Sequence, residues 1–330
     1  MSSRSDVART RGTPLHPPEQ RAAQARPSSN DLATKGDEIE EWLDLRFFRP
    51  IGARIASALY PTRVTPDQVT LVSLVIGLAA GHLFVYTNPV INALGFVLFI
   101  VSDLFDSADG QLARRRGTST RFGRVLDGLS DTARFGNLGI HLAVRLVVHA
   151  GWPWPLAVGL LVTAAISHSA QSSAVDFVRH AYLSLVVGRG SELDIEPAAA
   201  SAHGSWRQRL LGGVYAVYGR RQARTFPKTT ALLRVQHGRP LSAALIGAYR
   251  DRTQPLLRLC AWLGQNIRFI ILGVTAVAGW PAGLFWVSAL PMNALLLLLV
   301  AQQERAAAAM ATTALTPVPS THPVAAVGGD

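Results

Sequence analysis

Asp106-Ser-Ala-Asp109-Gly110-Gln-Leu-Ala113-Arg114, followed after eight residues by Gly123-Arg-Val-Leu-Asp127-Gly-Leu-Ser-Asp131, sets four carboxylates at the seam between two long apolar stretches. An ionised Asp inside a membrane segment costs several kcal/mol unless paired or bound to metal, so acidic residues there mark function before anything else. Asp106 and Asp109 are spaced i, i+3, and Asp127 and Asp131 i, i+4, so each pair projects from one face of a helix, one turn apart. Two helices joined as a hairpin would bring the two pairs together.

Working outward, apolar runs long enough to cross a hydrocarbon core, which takes about 20 residues, occupy residues 66–87, 89–112, 123–148, 152–178, 257–278 and 281–303. The expected architecture is therefore all-α and integral to the membrane, with six transmembrane helices. Composition agrees, with 49% hydrophobic residues, 16% charged and a mean hydropathy of +0.23 over 330 residues. The first 36 residues lack the apolar core of a signal peptide, so no cleaved leader is expected. The single Cys260 cannot form an intrachain disulfide, and its apolar setting points to packing.

A net charge of +11 invites a nucleic-acid reading, but the distribution argues for a membrane surface instead. Basic residues crowd the first 36 positions, the Arg114-Arg115-Arg116 to Arg124 connection and the segment from Arg179 to Arg258. The connections at Tyr86 to Pro89, Ala150 to Pro153 and Ala278 to Pro281 carry no Lys or Arg. The positive-inside rule then puts both termini and the acidic seam on the cytoplasmic side of the cell membrane. Anionic lipids are expected partners, and nucleic acid is not.

Residues 1–36 and 306–330 are poor in large apolar groups and read as disordered tails flanking a membrane domain at 37–305. Residues 38–60 alternate Ile39, Trp42, Leu43, Phe48 and Ile55 with Arg46, Arg49 and Arg54, the pattern of an amphipathic helix lying in the interface and bent at Pro50. Thr65 and Pro66 predict an N-cap and a first helical position for the first span. A polar stretch at about 179–255 reads as a cytoplasmic insertion of short helices and loops. No repeat of fixed period supports an inverted-repeat transporter.

Carboxylate oxygens suit Mg²⁺ or Mn²⁺, and two facing acidic pairs can hold two such ions for phosphoryl transfer. Gly110 and Ala113 leave room beside them for a flat group such as a nucleobase, and the Arg114 guanidinium can grip phosphate. The full pattern, Asp106-x-x-Asp109-Gly110-x-x-Ala113-Arg114, eight residues, then Gly123-x-x-x-Asp127-x-x-x-Asp131, resembles the complete signature of the CDP-alcohol phosphotransferase (CDP-alcohol phosphatidyltransferase) family. That resemblance covers roughly residues 38–303. It implies an enzyme, usually a homodimer, that transfers a phosphoalcohol from a CDP-linked donor to an acceptor hydroxyl and releases CMP.

The resemblance further implies that Asp106, Asp109 and Asp127 are metal ligands, and that Asp131 helps bind the second ion and removes the acceptor's proton. Gly110, Ala113 and Arg114 would hold the cytidine diphosphate, with Thr120, Asp67 and Thr70 near the nucleotide; Asp67 departs from the Asn common at that position. Arg134, Gln171, Asp176 and Arg268 are the expected acceptor contacts, because they place polar groups on neighbouring spans near the same end. CDP-diacylglycerol as donor and a polar acceptor such as glycerol 3-phosphate, an inositol phosphate or serine are the first expectation. Transfer of a CDP-linked head group to a lipid or polyol alcohol is the second. A metal-ion transporter would also use intramembrane Asp but has no need of Gly-x-x-Ala-Arg, and a structural scaffold has no need of four aspartates in register.

Overall fold

The computed structural model describes residues 41–187, 206–236, 242–280 and 282–315. The tail expected at 1–36, the start of the expected interfacial helix at 38–40, the end of the C-terminal tail at 316–330 and the parts of the expected insertion at 188–205 and 237–241 lie outside the described residues. The described residues form helices and connections without a strand. A π-helical turn, Asp44–Phe48, leads into α1 (Arg49–Leu59). Pro50 sits in the first turn of α1, directly after the π-helical turn.

α2 (Pro66–Leu83) starts where the sequence predicts. Thr65 accepts the Gln68 N–H at 3.3 Å and the Gln68 side chain returns the bond to the Thr65 N–H at 2.9 Å, a reciprocal cap. α3 (Pro89–Arg116) ends at Gly117, whose φ of +65° turns the chain. α4 (Arg121–Val148) begins four residues later, capped by the Thr120 hydroxyl, which accepts the Gly123 N–H at 2.9 Å. The turn between them folds the two acidic segments against each other. α5 (Trp154–Tyr182) completes this half, with α2 packed on α3 and α4, and α1 along α3.

In the remainder, α6 (Trp206–Thr225) and α7 (Pro227–Gln236) occupy the expected insertion, and α8 (Ala243–Trp262), α9 (Gln265–Val277), α10 (Gly283–Ala289) and α11 (Pro291–Leu315) follow. α8 crosses the expected end of the insertion: it runs unbroken through Pro255, with 12 residues of helix before that proline. Flanking helices re-satisfy the carbonyl that Pro255 cannot serve in such settings, which makes an internal proline tolerable. α11 likewise carries helix to Leu315, past the expected start of a disordered tail at 306. Ala306 to Ala309 are strong helix formers, and Ala306, Ala307 and Met310 are buried.

Among the described residues, four segments are long and apolar enough to cross a membrane: Pro66–Leu83, Pro89–Arg116, Ala243–Val277 and Gly283–Met310. α4 and α5 have the length but carry more polar residues, which is where the site's chemistry sits. One apolar cluster, including Phe99, Leu138, Leu142 and Phe269, joins α2, α3, α4, α5 and α9. A second, including Phe177, Tyr249, Met292 and Leu299, joins α5, α8 and α11.

Candidate active site

The hairpin between α3 and α4 brings Asp106, Asp109 and Asp127 together, with ligand oxygens all within 4.8 Å of one another. Their oxygen-only donor set and close approach fit a hard divalent cation such as Mg²⁺ or Mn²⁺. Asp109 is buried, and its Oδ2 accepts a 2.5 Å hydrogen bond from the Thr70 hydroxyl on α2. Thr70, expected beside the nucleotide, thus reaches a motif carboxylate directly.

Asp131, the fourth motif carboxylate, lies outside that triad and is bound by Arg134, one turn along α4. The Arg134 guanidinium is completely buried. Its Nη2 also donates to Asp106 Oδ1 at 3.1 Å, and its Nη1 donates to Asp103 Oδ1 at 3.2 Å and to the hydroxyls of Ser102 and Ser73 at 2.8 and 3.3 Å. Gly77 on α2 makes room for this side chain: a Cβ there would lie 2.8 Å from both Arg134 Cγ and Ser102 Oγ. Arg134 therefore directs both Nη atoms at carboxylates and serines of the site.

Asp103 is the residue that sequence reasoning missed. It lies one turn before Asp106 on the same face of α3, so the i, i+3 spacing that marked Asp106 and Asp109 extends back to it. Gln265, at the first position of α9, donates to its two oxygens at 3.1 and 3.3 Å and so couples the α9 start to the acidic face.

On the other side, the start of α4 approaches α2. Asp67 Oδ1 lies 3.8 Å from where a Gly123 Cβ would stand, and Thr120 serves as the cap of α4. A Cβ on Gly110 would lie 3.3 Å from Arg114 Nη1, so the guanidinium folds back over the glycine, with Ala113 half-buried one turn on. Arg116 fastens this end of α3 to the α1–α2 connection, donating to the carbonyls of Leu59, Tyr60 and Thr62 at 2.8, 3.0 and 2.9 Å, and to that of Val64 at 2.5 Å.

The other expected acceptor residues fall into two further places. Arg268 Nη2 donates to Gln171 Oε1 at 2.6 Å, while Gln171 Nε2 donates to the Ser288 carbonyl and Asn293 Oδ1 at 2.9 and 2.7 Å, a buried knot linking α5, α9, α10 and α11. Asp176 accepts from the Tyr218 hydroxyl of α6 at 2.9 Å. A separate clasp holds the segment before α1: Glu41 accepts from Arg179 at 2.9 Å and from Asn266 at 2.7 Å.

Residues 63–183, which span α2 to α5, match the family model for CDP-alcohol phosphatidyltransferase. A bifunctional IPC transferase and DIPP synthase of Thermococcus kodakarensis is 28% identical over 134 residues, covering 41% of this chain and 30% of that protein. A phosphatidylinositol phosphate synthase of Mycobacteroides abscessus is 32% identical over 143 residues, covering 40% of this chain and 56% of the relative. The chain thus spans about a third to just over half of these relatives' lengths. The crystal structure of Mycobacterium tuberculosis phosphatidylinositol phosphate synthase with manganese and citrate aligns over 52% of this chain and 87% of that one, at 21% identity and a TM-score of 0.33. The motif residues all lie inside the matched segment, so residues 63–183 are similar to a CDP-alcohol phosphatidyltransferase domain, in a chain whose described helices include several long and apolar enough to cross a membrane.

Proposed function

We propose that the chain transfers a phosphatidyl group from CDP-diacylglycerol to the hydroxyl of a polar acceptor, glycerol 3-phosphate or an inositol phosphate, with release of CMP. The observation that carries this is the convergence of Asp106, Asp109 and Asp127 within 4.8 Å, beside Asp131, in a domain matching the family. Divalent cations held by these carboxylates, Mg²⁺ or Mn²⁺ and two per site, would neutralise the diphosphate and align it for in-line displacement.

The chain's own residues do the rest. Asp131 accepts the proton of the acceptor hydroxyl, whose oxygen bonds to the phosphorus carrying diacylglycerol, while the bond from that phosphorus to the CMP oxygen breaks. Arg134 fixes the orientation of Asp131 and holds positive charge beside it. Arg114, Gly110 and Ala113 provide the place for the cytidine diphosphate, with Thr120 and Asp67 at the mouth between α2 and α4. Gln171, Arg268 and Asp176 act in this reading by holding α5, α6, α9 and α10 around the acceptor's entry. Support for phosphatidyl transfer over head-group transfer comes from the named relatives, which include phosphatidylinositol phosphate synthases.

The same reading has six spans, α2 to α5 plus α8–α9 and α10–α11, with the segment before α2 lying in the interface. The basic connections face the cytoplasm and anionic lipid, the site opens there in the inner membrane, and the protein works as a homodimer. The test is CMP release by the purified protein from CDP-diacylglycerol against a panel of acceptors, with Mn²⁺ or with chelator. Cation-dependent CMP release that requires one of the polar acceptors supports the proposal. CMP release only when a CDP-linked head group meets a lipid alcohol would replace it with the second reading.

A further inference from the structure

Arg134 presents two sides to two different sets of partners. Nη2 binds Asp106, a member of the triad, and Asp131, the fourth motif carboxylate; Nη1 binds Asp103, Ser102 and Ser73, none of which belongs to the motif. Asp103 is itself fixed from α9 by Gln265 and is 11% exposed, against 23% for Asp106 and 36% for Asp131. The guanidinium is thus shared between an open side and a closed one.

Charge counting sharpens the point. Asp103, Asp106, Asp109, Asp127 and Asp131 contribute five negative charges and Arg134 one positive, leaving four, the charge that two divalent cations cancel. Without Asp103 the loaded site would carry an uncompensated positive charge on a wholly buried guanidinium, an expensive state in a poorly solvated helix bundle. A cation arriving at Asp106 also repels Arg134 and competes with it for the same oxygen.

We propose that Asp103 is a holding carboxylate for Arg134: it retains the guanidinium on the closed side when divalent cations take Asp106 and Asp131. Arg134 then serves as the site's internal counter-charge in the empty state and as a fixed positioning residue beside Asp131 in the loaded one. Gln265 completes the device by keeping Asp103 from following the metal. The proposal rests on the metal-binding reading given above.

A double-mutant cycle on the full-length protein in lipid nanodiscs tests it, with Mn²⁺ affinity read by electron paramagnetic resonance and thermal stability read in chelator. Asp103→Asn leaves Arg134 Asp106 and Asp131 as its charged partners, with only neutral groups on the closed side, so Mn²⁺ binding should weaken about tenfold. Arg134→Gln removes the competitor, so Mn²⁺ should bind more tightly, and the protein in chelator should melt lower. With Arg134 absent, adding Asp103→Asn should change Mn²⁺ affinity by less than about threefold. If Arg134→Gln does not fold, Arg134→Lys replaces it in the cycle, keeping the charge but unable to span both sides, and a smaller non-additivity of the same sign is expected.

Equal effects of Asp103→Asn in both backgrounds, with wild-type Mn²⁺ binding intact, would overturn the holding role and leave the metal site standing. Failure of the wild-type protein to bind Mn²⁺ saturably would remove both.

Discussion

Thr70→Val removes one oxygen from the site while keeping the shape of the side chain. Thr70 and Asp109 are each 5% exposed, and the hydroxyl donates to Asp109 Oδ2 at 2.5 Å; its other neighbour, the Pro66 carbonyl, is farther at 3.2 Å. Valine opens no cavity, so the loss is confined to the hydrogen bond. A bond to a charged group contributes about 1.5–3 kcal/mol. At about 1.36 kcal/mol per factor of ten, Mn²⁺ affinity should fall roughly 10- to 150-fold, with a comparable loss in CMP release at limiting metal. Thr70→Ser retains the donor and should recover to within about threefold of wild type. Mn²⁺ titration by electron paramagnetic resonance beside a CMP-release assay separates the cases. A Thr70→Val protein with unchanged Mn²⁺ affinity and a raised KM for the CDP-linked donor alone would refute this reasoning and make Thr70 a nucleotide contact.

Three further outcomes follow from particular packing. Gly77→Ala would press a Cβ against the buried Arg134 stem and Ser102, an overpacking that costs about 1–3 kcal/mol, and should lower both melting temperature and Mn²⁺ affinity, whereas a surface-like effect on melting alone would contradict the fit. Gly117→Ala meets no atom within 4 Å but imposes a left-handed backbone on alanine, so a loss of about 1–2 kcal/mol is expected by thermal melting, and no loss would mean that the turn has another conformation. Burial holds the Glu41 carboxyl above its ordinary 4.5, with Arg179 opposing only in part. The folded chain therefore binds a proton that the unfolded chain releases, so Glu41's contribution becomes more favourable as pH falls from neutrality toward 4.5; this slope should vanish in Glu41→Gln when melting is followed across that range.

Much of this half of the molecule was legible because its punctuation is local. Thr65-Pro66 with Gln68, Gly117 and Thr120 each act within a few residues, and the aspartate spacings project onto helix faces without knowledge of the fold. The partners of Arg134 were not legible in the same way, since Asp103, Ser73 and Ser102 come from two other helices and only packing selects them over an acceptor phosphate. Gln171 and Arg268 stand 97 residues apart in sequence, and nothing local says that they bind each other. Composition alone did not mark Pro255 or Ala306 to Leu315 as helical, yet α8 runs through the proline and α11 through the alanine-rich run, where alanine's propensity favours helix.

A divalent-cation site in the acidic cluster, driving phosphatidyl transfer, is the central expectation for this chain. Converting Asp106, Asp109 and Asp127 together to Asn, and measuring Mn²⁺ binding and CMP release from CDP-diacylglycerol on the same folded preparation, should show both lost while wild type retains both. CMP release that persists at the wild-type rate without those three carboxylates would contradict it.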